Sequence, residues 1–410
     1  PDSLLKVFSE NPEYSAKLDS LINAKNKDPL KIFDKKNAEK LFGENLNISA
    51  SQLEKFNLCR FSYFCNYGLN VRERLKAEIN PMQYGTLVHY ILERFFSEYT
   101  KEEYLSLEED IFIEIVRTYL SEYAVTYFGT EQLESNSFTY RLKTILDNVI
   151  YLMKHIMLEL SQSEFFVADC ELKIGEDIPS CTIVLPDGHK IAVCGSVDRV
   201  DIMQKNGVSY LRVIDYKTGT KQFKLSDILY GINLQMLLYL HSIENSDSDK
   251  YGKITPAGIL YMPATVPYIS ADSLKSIDKL PDELNKNLKM NGLLLKDAEI
   301  IHGMDKTDAA TYIPVKIKAG EPVSATSLAT LEEFGKIFKK VDMLIAEMGK
   351  NIYDGNIEAK PLKGGHDSCE YCPYDSVCAY RQSSPINCFS VDNKAVIEEI
   401  TNEINGKEEE

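Results

Sequence analysis

The sequence predicts a mixed α/β fold: a central mixed sheet flanked by helices, with large helical insertions. Two observations carry that prediction. Apolar, β-branched runs of strand length recur at Phe165–Ile174, Ile191–Ile202, Tyr210–Tyr216 and Pro256–Met262, and such runs bounded by turn residues read as strands. Around them lie stretches with apolar residues at helical spacing. Leu87, Val88, Ile91, Leu92, Phe95 and Phe96 are one such set, and they make a wide apolar face on a helix.

In chain order, residues 1–48 alternate short helical patterns with Asn, Asp and Lys breaks and are expected to form a helical leader. Ser51 is expected to cap the helix of Gln52–Cys59, with Glu54 at capping-box spacing. Arg60–Phe64 continues it as an aromatic-rich turn. Gly85 opens the next helix, and residues 101–160 read as mostly helical. The runs Ile191–Ile202 and Tyr210–Tyr216 pair as a hairpin turning at Asn206-Gly207. After Gly219 one helix carries Leu225, Ile228, Leu229, Ile232, Leu234 and Leu237, and Pro256–Met262 returns as a buried strand. Residues 265–325 are the least legible, rich in Lys, Asp and Ser; a long helix then runs from about Ser327 to Ile352. Residues 386–410 read as an acidic C-terminal tail.

The chemistry concentrates at the hairpin. Asp198 lies in its first strand; Asp215 and Lys217 end the second, and their shared parity puts both side chains on one face. Two carboxylates are hard oxygen ligands for a divalent cation, and an ammonium beside them can orient a water or offset charge on a phosphate. An Asp-x-Lys alone is common on surface strands, so the weight rests on its context. Gly195 precedes Asp198 by three residues, Thr218-Gly219 follows Lys217, and Gln235 and Tyr239 stand four apart on one helical face.

A second centre is legible in the cysteines. Cys369, Cys372 and Cys378 form a C-x₂-C-x₅-C array, able to grip one metal centre with a fourth ligand brought from elsewhere. From spacing alone, zinc and an iron–sulfur cluster are equal alternatives. Cys170, Cys181, Cys194 and Cys388 have no partner spacing and read as small packing residues.

Composition bounds the function. The formal charge of −16 argues against tight, unaided, nonspecific duplex binding, although a cleft can hold a local potential of its own. No apolar run approaches 18 residues, so a membrane-spanning reading is excluded and a cytoplasmic protein is expected. Nine cysteines in such a chain suggest metal or redox chemistry over a disulfide framework. No G-x-x-x-x-G-K-[ST] phosphate loop occurs, so ATP hydrolysis by that route is not expected. The chain begins at Pro1 and is expected to be a piece of a longer polypeptide.

Taken in order, Gly85-x-x-x-His89, Gly195-x-x-Asp198, Asp215-Tyr-Lys217-Thr-Gly219, Gln235-x-x-x-Tyr239 and the cysteine array resemble the RecB-family branch of the PD-(D/E)xK nucleases that carry an iron–sulfur cluster. Lys289–Leu295 and Tyr312–Lys316 further resemble the AddB-like subfamily, the nuclease-bearing subunits of AddAB-type helicase–nucleases. The resemblance spans about residues 49–385 and implies a restriction-endonuclease-like core. It implies that His89, Asp198, Asp215 and the backbone carbonyl of Tyr216 hold Mg²⁺ or Mn²⁺, that Lys217 positions the attacking water, and that Gln235 and Tyr239 buttress the site and contact DNA. Glu171 either sits near that site or lies on a solvated strand face; Glu93, four residues after His89 on one helical face, is expected to form a salt bridge.

The resemblance also implies a 4Fe–4S cluster on Cys369, Cys372, Cys378 and an upstream cysteine. Cys59 holds that upstream place, with Arg60 where the family usually has proline, and Cys65 is its rival. A crosslink between Cys59 and Cys369 would restrain the unfolded chain by roughly 5–6 kcal/mol on the loop-entropy relation. The implied activity is exonucleolytic hydrolysis of single strands fed from an unwound duplex end, in double-strand break repair by recombination. The implied partners are DNA and the AddA-type helicase–nuclease subunit. The alternatives are a free-standing iron–sulfur exonuclease of the CRISPR-adaptation type and an inactive DNA-binding scaffold.

Overall fold

The structure, a computed structural model, describes residues 30–71, 81–128, 136–219, 222–246, 248–266, 285–324, 326–378 and 385–408, and the single residues 14, 17 and 380. The expectations for the rest of residues 1–29, for 267–284 within the least legible stretch and for 409–410 fall outside them.

The core is a six-stranded mixed sheet. Its strands are β2 (Phe166–Ile174), β5 (Gly195–Lys205), β6 (Val208–Lys217), β7 (Ile254–Pro263), β8 (Asn291–Leu295) and β11 (Leu328–Ala329), in the order β11-β8-β7-β6-β5-β2. Strands β5 and β6 pair antiparallel from Arg199↔Ile214 to Lys205↔Val208. They turn at Asn206 (φ 52°) and Gly207 (φ 75°), the left-handed pair that a two-residue hairpin loop requires. Strands β6 and β7 run parallel, which obliges a crossover; the segment between them supplies a helix. A smaller sheet of β1 (Leu46–Ile48), β4 (Lys190–Val193) and β3 (Thr182–Val184) lies beside the core. Two short pairs complete the strands, β9 (Lys316–Lys318) with β10 (Glu321–Val323), and β12 (Leu362–Gly364) with β13 (Ile386–Cys388).

Seven helices matter below: α1 (Ala50–Leu58), α2 (Pro81–Glu98), α3 (Glu109–Phe128), α4 (Asn136–Ser161), α5 (Gln235–Glu244), α6 (Leu331–Tyr353) and α7 (Asn393–Glu408). The six apolar residues on α2 are all buried, as their spacing requires.

Four expectations are corrected. The run Ile191–Ile202 is two strands in two sheets, broken at Cys194, whose amide donates to Ile48 O at 2.8 Å. Continuous apolar character cannot register such a change of partner. Helix α1 is capped by Ser49 with Gln52 in the capping box, two residues earlier than expected, which frees Glu54 for another task. Helix α2 starts at Pro81 and includes Gly85. The single helix expected after Gly219 is a 3₁₀ turn (Leu225–Tyr230) and then α5, parted at Gly231 and Asn233, both with positive φ.

The described parts of the flanks belong to the packed unit. Strand β1 pairs with β4 in register Leu46↔Ile191. The stretch read as an acidic tail holds β13 and α7, whose Val396, Ile400 and Ile404 lie in the main core. Asp392, Glu398 and Glu399 are exposed while a helical stripe of apolar residues is buried, so charge alone misreads it.

On the far face of the β5–β6 hairpin is a buried ionic network. Arg199, Asp201 and Arg212 on the hairpin and Glu159 on α4 are all fully buried. Arg199 donates to both Asp201 oxygens at 2.7 Å, and Arg212 donates to Asp201 at 2.9 Å and Glu159 at 2.6 Å. Arg199 also reaches the Tyr216 hydroxyl at 3.3 Å. Cross-strand parity sends these charges to one face and the Asp198 and Asp215 carboxylates to the other.

Candidate active site and cysteine centre

The C-terminal end of β6 gathers the site. Asp215 is almost sealed, its side chain 4% exposed, and lies 2.6 Å from the Lys217 ammonium. Gln235, the first residue of α5, donates to the other Asp215 oxygen at 2.9 Å, while its own carbonyl faces Lys217 at 3.5 Å. Asp198, 10% exposed, accepts the Tyr216 amide at 2.8 Å. From α2, His89 Nε2 comes within 3.6 Å of Asp198 and 3.4 Å of the Tyr216 carbonyl. His89, Asp198, Asp215, Tyr216, Lys217 and Gln235 thus lie together at this end of β6.

Tyr239 reaches the same place by a different route. Its ring lies over Gly195, where an added Cβ would meet the Tyr239 hydroxyl at 2.5 Å. Burial, then the charges of Asp198 and Asp215, push its phenol above the ordinary range.

The structure decides the open question of Glu171. Its backbone is left-handed (φ 49°) inside β2, a conformation that costs about 1–3 kcal/mol in a non-glycine residue and collects at functional sites. The carboxylate is thereby aimed at His89 Nδ1, 3.1 Å away, and also accepts from Ser196 at 2.7 Å. Burial alone would raise its pKa; these two bonds hold it below the ordinary carboxylate range. Nothing in a period-2 strand pattern signals a residue turned out of register, and Ser196 had no signal beyond its place in the Gly195–Asp198 motif.

Burial, then the Asp215 charge, push the Asp198 carboxyl up to about 7. For His89 burial alone would lower the pKa, but the Glu171 hydrogen bond and the Asp198 charge push it up to about 9. The Asp198 shift reports burial and the Asp215 charge beside it, the His89 shift the two carboxylates around the ring. A hard cation is the natural complement of that donor set, and ligand atoms of His89, Glu171 and Asp198 already lie within 4.8 Å of one another.

The crossover corner that presents Gln235 is held from α1. Glu54 accepts the Leu234 amide at 3.0 Å and Asn57 donates to the Gly231 carbonyl at 3.0 Å. Helix α1 ends at Leu58 with Cys59 as its C-cap, so the helix leading into the cysteine centre also grips α5.

Cys59, Cys369, Cys372 and Cys378 line one cavity of about 200 Å³ with Ser62 and Tyr380. Cys65 is not among its lining residues, although Cys372 and Cys378 are near enough to raise its thiol pKa further after burial has done so. Four thiols from the two ends of the domain around one small space fit a metal centre of four cysteines. Cys181 stands beside His241 and Asp342. There Asn245 donates to His241 Nδ1 at 2.8 Å, which leaves the ring proton on Nε2 facing Asp342 at 2.9 Å.

Residues 47–379 match the family model of the PD-(D/E)XK nuclease superfamily. The chain belongs to that superfamily, the class its mixed sheet and Asp-x-Lys site define. Among curated proteins it is similar to the B subunit of the ATP-dependent helicase/deoxyribonuclease of three bacteria. The identity is 32% with that of Clostridium acetobutylicum, over 91% of this chain and 33% of the relative. It is 33% with that of Clostridium kluyveri, over 98% and 36%, and 34% with that of Thermoanaerobacter pseudethanolicus, over 89% and 32%. The chain therefore spans about a third of the length of the relatives it matches. Among the described residues no helix is long and apolar enough to cross a membrane.

Proposed function

We propose that this chain is the nuclease module of an AddB-like helicase–nuclease subunit and hydrolyses DNA phosphodiester bonds exonucleolytically, on single strands delivered from an unwound duplex end. Double-strand break processing for recombinational repair is the setting, an AddA-type helicase–nuclease subunit the protein partner, and the cytoplasm the compartment. The observation that carries the reading is the Asp215 carboxylate clamped between Lys217 and Gln235, with Asp198 and His89 beside it.

In this reading His89, Asp198, Asp215 and the Tyr216 carbonyl hold Mg²⁺ or Mn²⁺, with Glu171 fixing His89 from behind. A divalent cation held there supplies Lewis-acid polarisation of the scissile phosphate. Lys217 orients the attacking water and offsets negative charge growing on the phosphate oxygens. Gln235 keeps Asp215 and Lys217 in register, and Tyr239 closes the wall over Gly195. Cys59, Cys369, Cys372 and Cys378 hold a 4Fe–4S cluster that staples the ends of residues 49–385, and the described parts of the flanks 1–48 and 386–410 pack onto that unit. The complete ligand and lysine set favours a working nuclease over an inactive scaffold. The match along a third of a long subunit favours the module over a free-standing CRISPR-type exonuclease.

The test is degradation of linear single-stranded DNA by purified protein with Mg²⁺ or Mn²⁺, in parallel with calorimetric Mn²⁺ titration. Asp198→Ala and Asp215→Ala should each abolish cutting and weaken Mn²⁺ binding while keeping iron content. Normal cutting by Asp215→Ala would refute the assignment.

A further inference from the structure

The cleft in front of His89 has one wall that the catalytic reading does not use. It encloses about 580 Å³, within the range of ligand-binding clefts, and is lined on one side by His89, Glu171 and Ser196 and on the other by Tyr90, Tyr123 and Tyr127. The three rings form a continuous series. Tyr90, next to His89 on α2, lies 5.2 Å from Tyr123, and Tyr123 lies 4.3 Å from Tyr127 one turn further along α3. Packing of α2 against α3 accounts for the first two, since Tyr123 is 4% exposed. It does not account for Tyr127, which is 63% exposed yet tied to a buried ring behind it.

The charges of this cleft are wrong for gripping a phosphate backbone. Glu93 and Glu171 line it against Lys173, and Lys173 is itself paired with Glu176. Among the described residues, Arg94 on the same helix as Glu93 is taken up by Glu98 and Glu122. A strand entering here needs a source of affinity other than counterion release. An exposed ring backed by rigid aromatic neighbours supplies one, because every base has a π-face and stacking tolerates any sequence. Only unpaired bases can use it.

We propose that Tyr127, backed by Tyr123 and Tyr90, is a base-stacking platform that binds the single-stranded DNA substrate where it enters the metal cleft. This deepens the nuclease reading and rests on it for the identity of the strand. The stacked base lies in the cleft that His89 and Glu171 close, so the platform holds the strand close to the hydrolytic site.

The experiment is equilibrium binding of the full chain, in EDTA to prevent cutting, to a fluorescein-labelled oligothymidylate and to the same strand with consecutive abasic residues. A 2-aminopurine-substituted strand reports stacking as quenching. Tyr127→Ala should weaken binding of the parent strand by about 5- to 150-fold, the range measured for loss of one stacked base. Tyr127→Phe should bind as wild type. The abasic strand should bind wild type and Tyr127→Ala equally weakly, and quenching should vanish only in Tyr127→Ala.

Unchanged binding in Tyr127→Ala overturns the proposal, as does a loss that persists with the abasic strand or no measurable binding to wild type. Since the assay needs no cleavage, failure of the nuclease reading shows separately as Asp215→Ala cutting normally.

Discussion

The ring of Tyr239 fills the space that a side chain at Gly195 would need: a Cβ there would stand 2.5 Å from the Tyr239 hydroxyl and 2.7 Å from the ring carbon Cε1. The glycine three residues before Asp198 is therefore a steric requirement of the aromatic residue on α5. Gly195→Ala should fold, bind iron and lose most of its turnover, because Tyr239 must swing off β5 or the strand must shift, at about 1–3 kcal/mol of overpacking. Tyr239→Ala should mask the effect. The double variant is expected to match Tyr239→Ala alone in steady-state kinetics, a non-additivity that contact between two residues produces.

Lys217 bonds to the buried Asp215 carboxylate and faces the Gln235 side-chain carbonyl. In the proposed reaction its charge meets the negative charge that develops, so Lys217→Ala should lower kcat by roughly 10²- to 10³-fold, as loss of one preorganised donor does. Affinity for single-stranded DNA measured in EDTA should stay within a few fold. Equal losses of turnover and affinity would make it a phosphate anchor instead.

The cavity shared by Cys59, Cys369, Cys372 and Cys378 separates the two candidate upstream ligands. Cys59→Ser should lose the brown absorbance and the iron, and melt well below the parent; Cys65→Ser should keep all three properties. Serine hardly changes volume, so a large fall in melting temperature reports lost ligation. Because Glu54 and Asn57 on the same helix hold the corner before Gln235, Cys59→Ser should also lower turnover. Bleaching by Cys65→Ser alone would move the ligand assignment.

Glu159 joins both guanidiniums of the buried network under the hairpin. Glu159→Gln keeps the shape and leaves Arg199 and Arg212 to share Asp201. Breaking a buried ionic cluster from one side costs about 3–5 kcal/mol, so the urea midpoint should fall sharply while Mn²⁺ affinity at the opposite face stays near wild type. An unchanged midpoint would show that the network carries no net stability.

What the sequence by itself determined is the chemistry bound to local geometry. Asp215 and Lys217 share a face because they are two apart on a strand. Gln235 and Tyr239 share one because they are four apart on a helix, and Asn206-Gly207 turns a hairpin because both residues accept positive φ. What only the tertiary structure decided depends on which distant surfaces meet. Glu171 aims at His89 through a left-handed residue inside a strand, which no periodicity registers. Cys59, and not Cys65, lines the cavity that Cys369, Cys372 and Cys378 share, although both precede the same helix. Glu54 leaves a presumed local cap to hold α5, and the acidic end of the chain buries one helical stripe in the core. Periodicity and capping preferences act over a few residues, whereas these choices were made by packing between segments far apart in the chain.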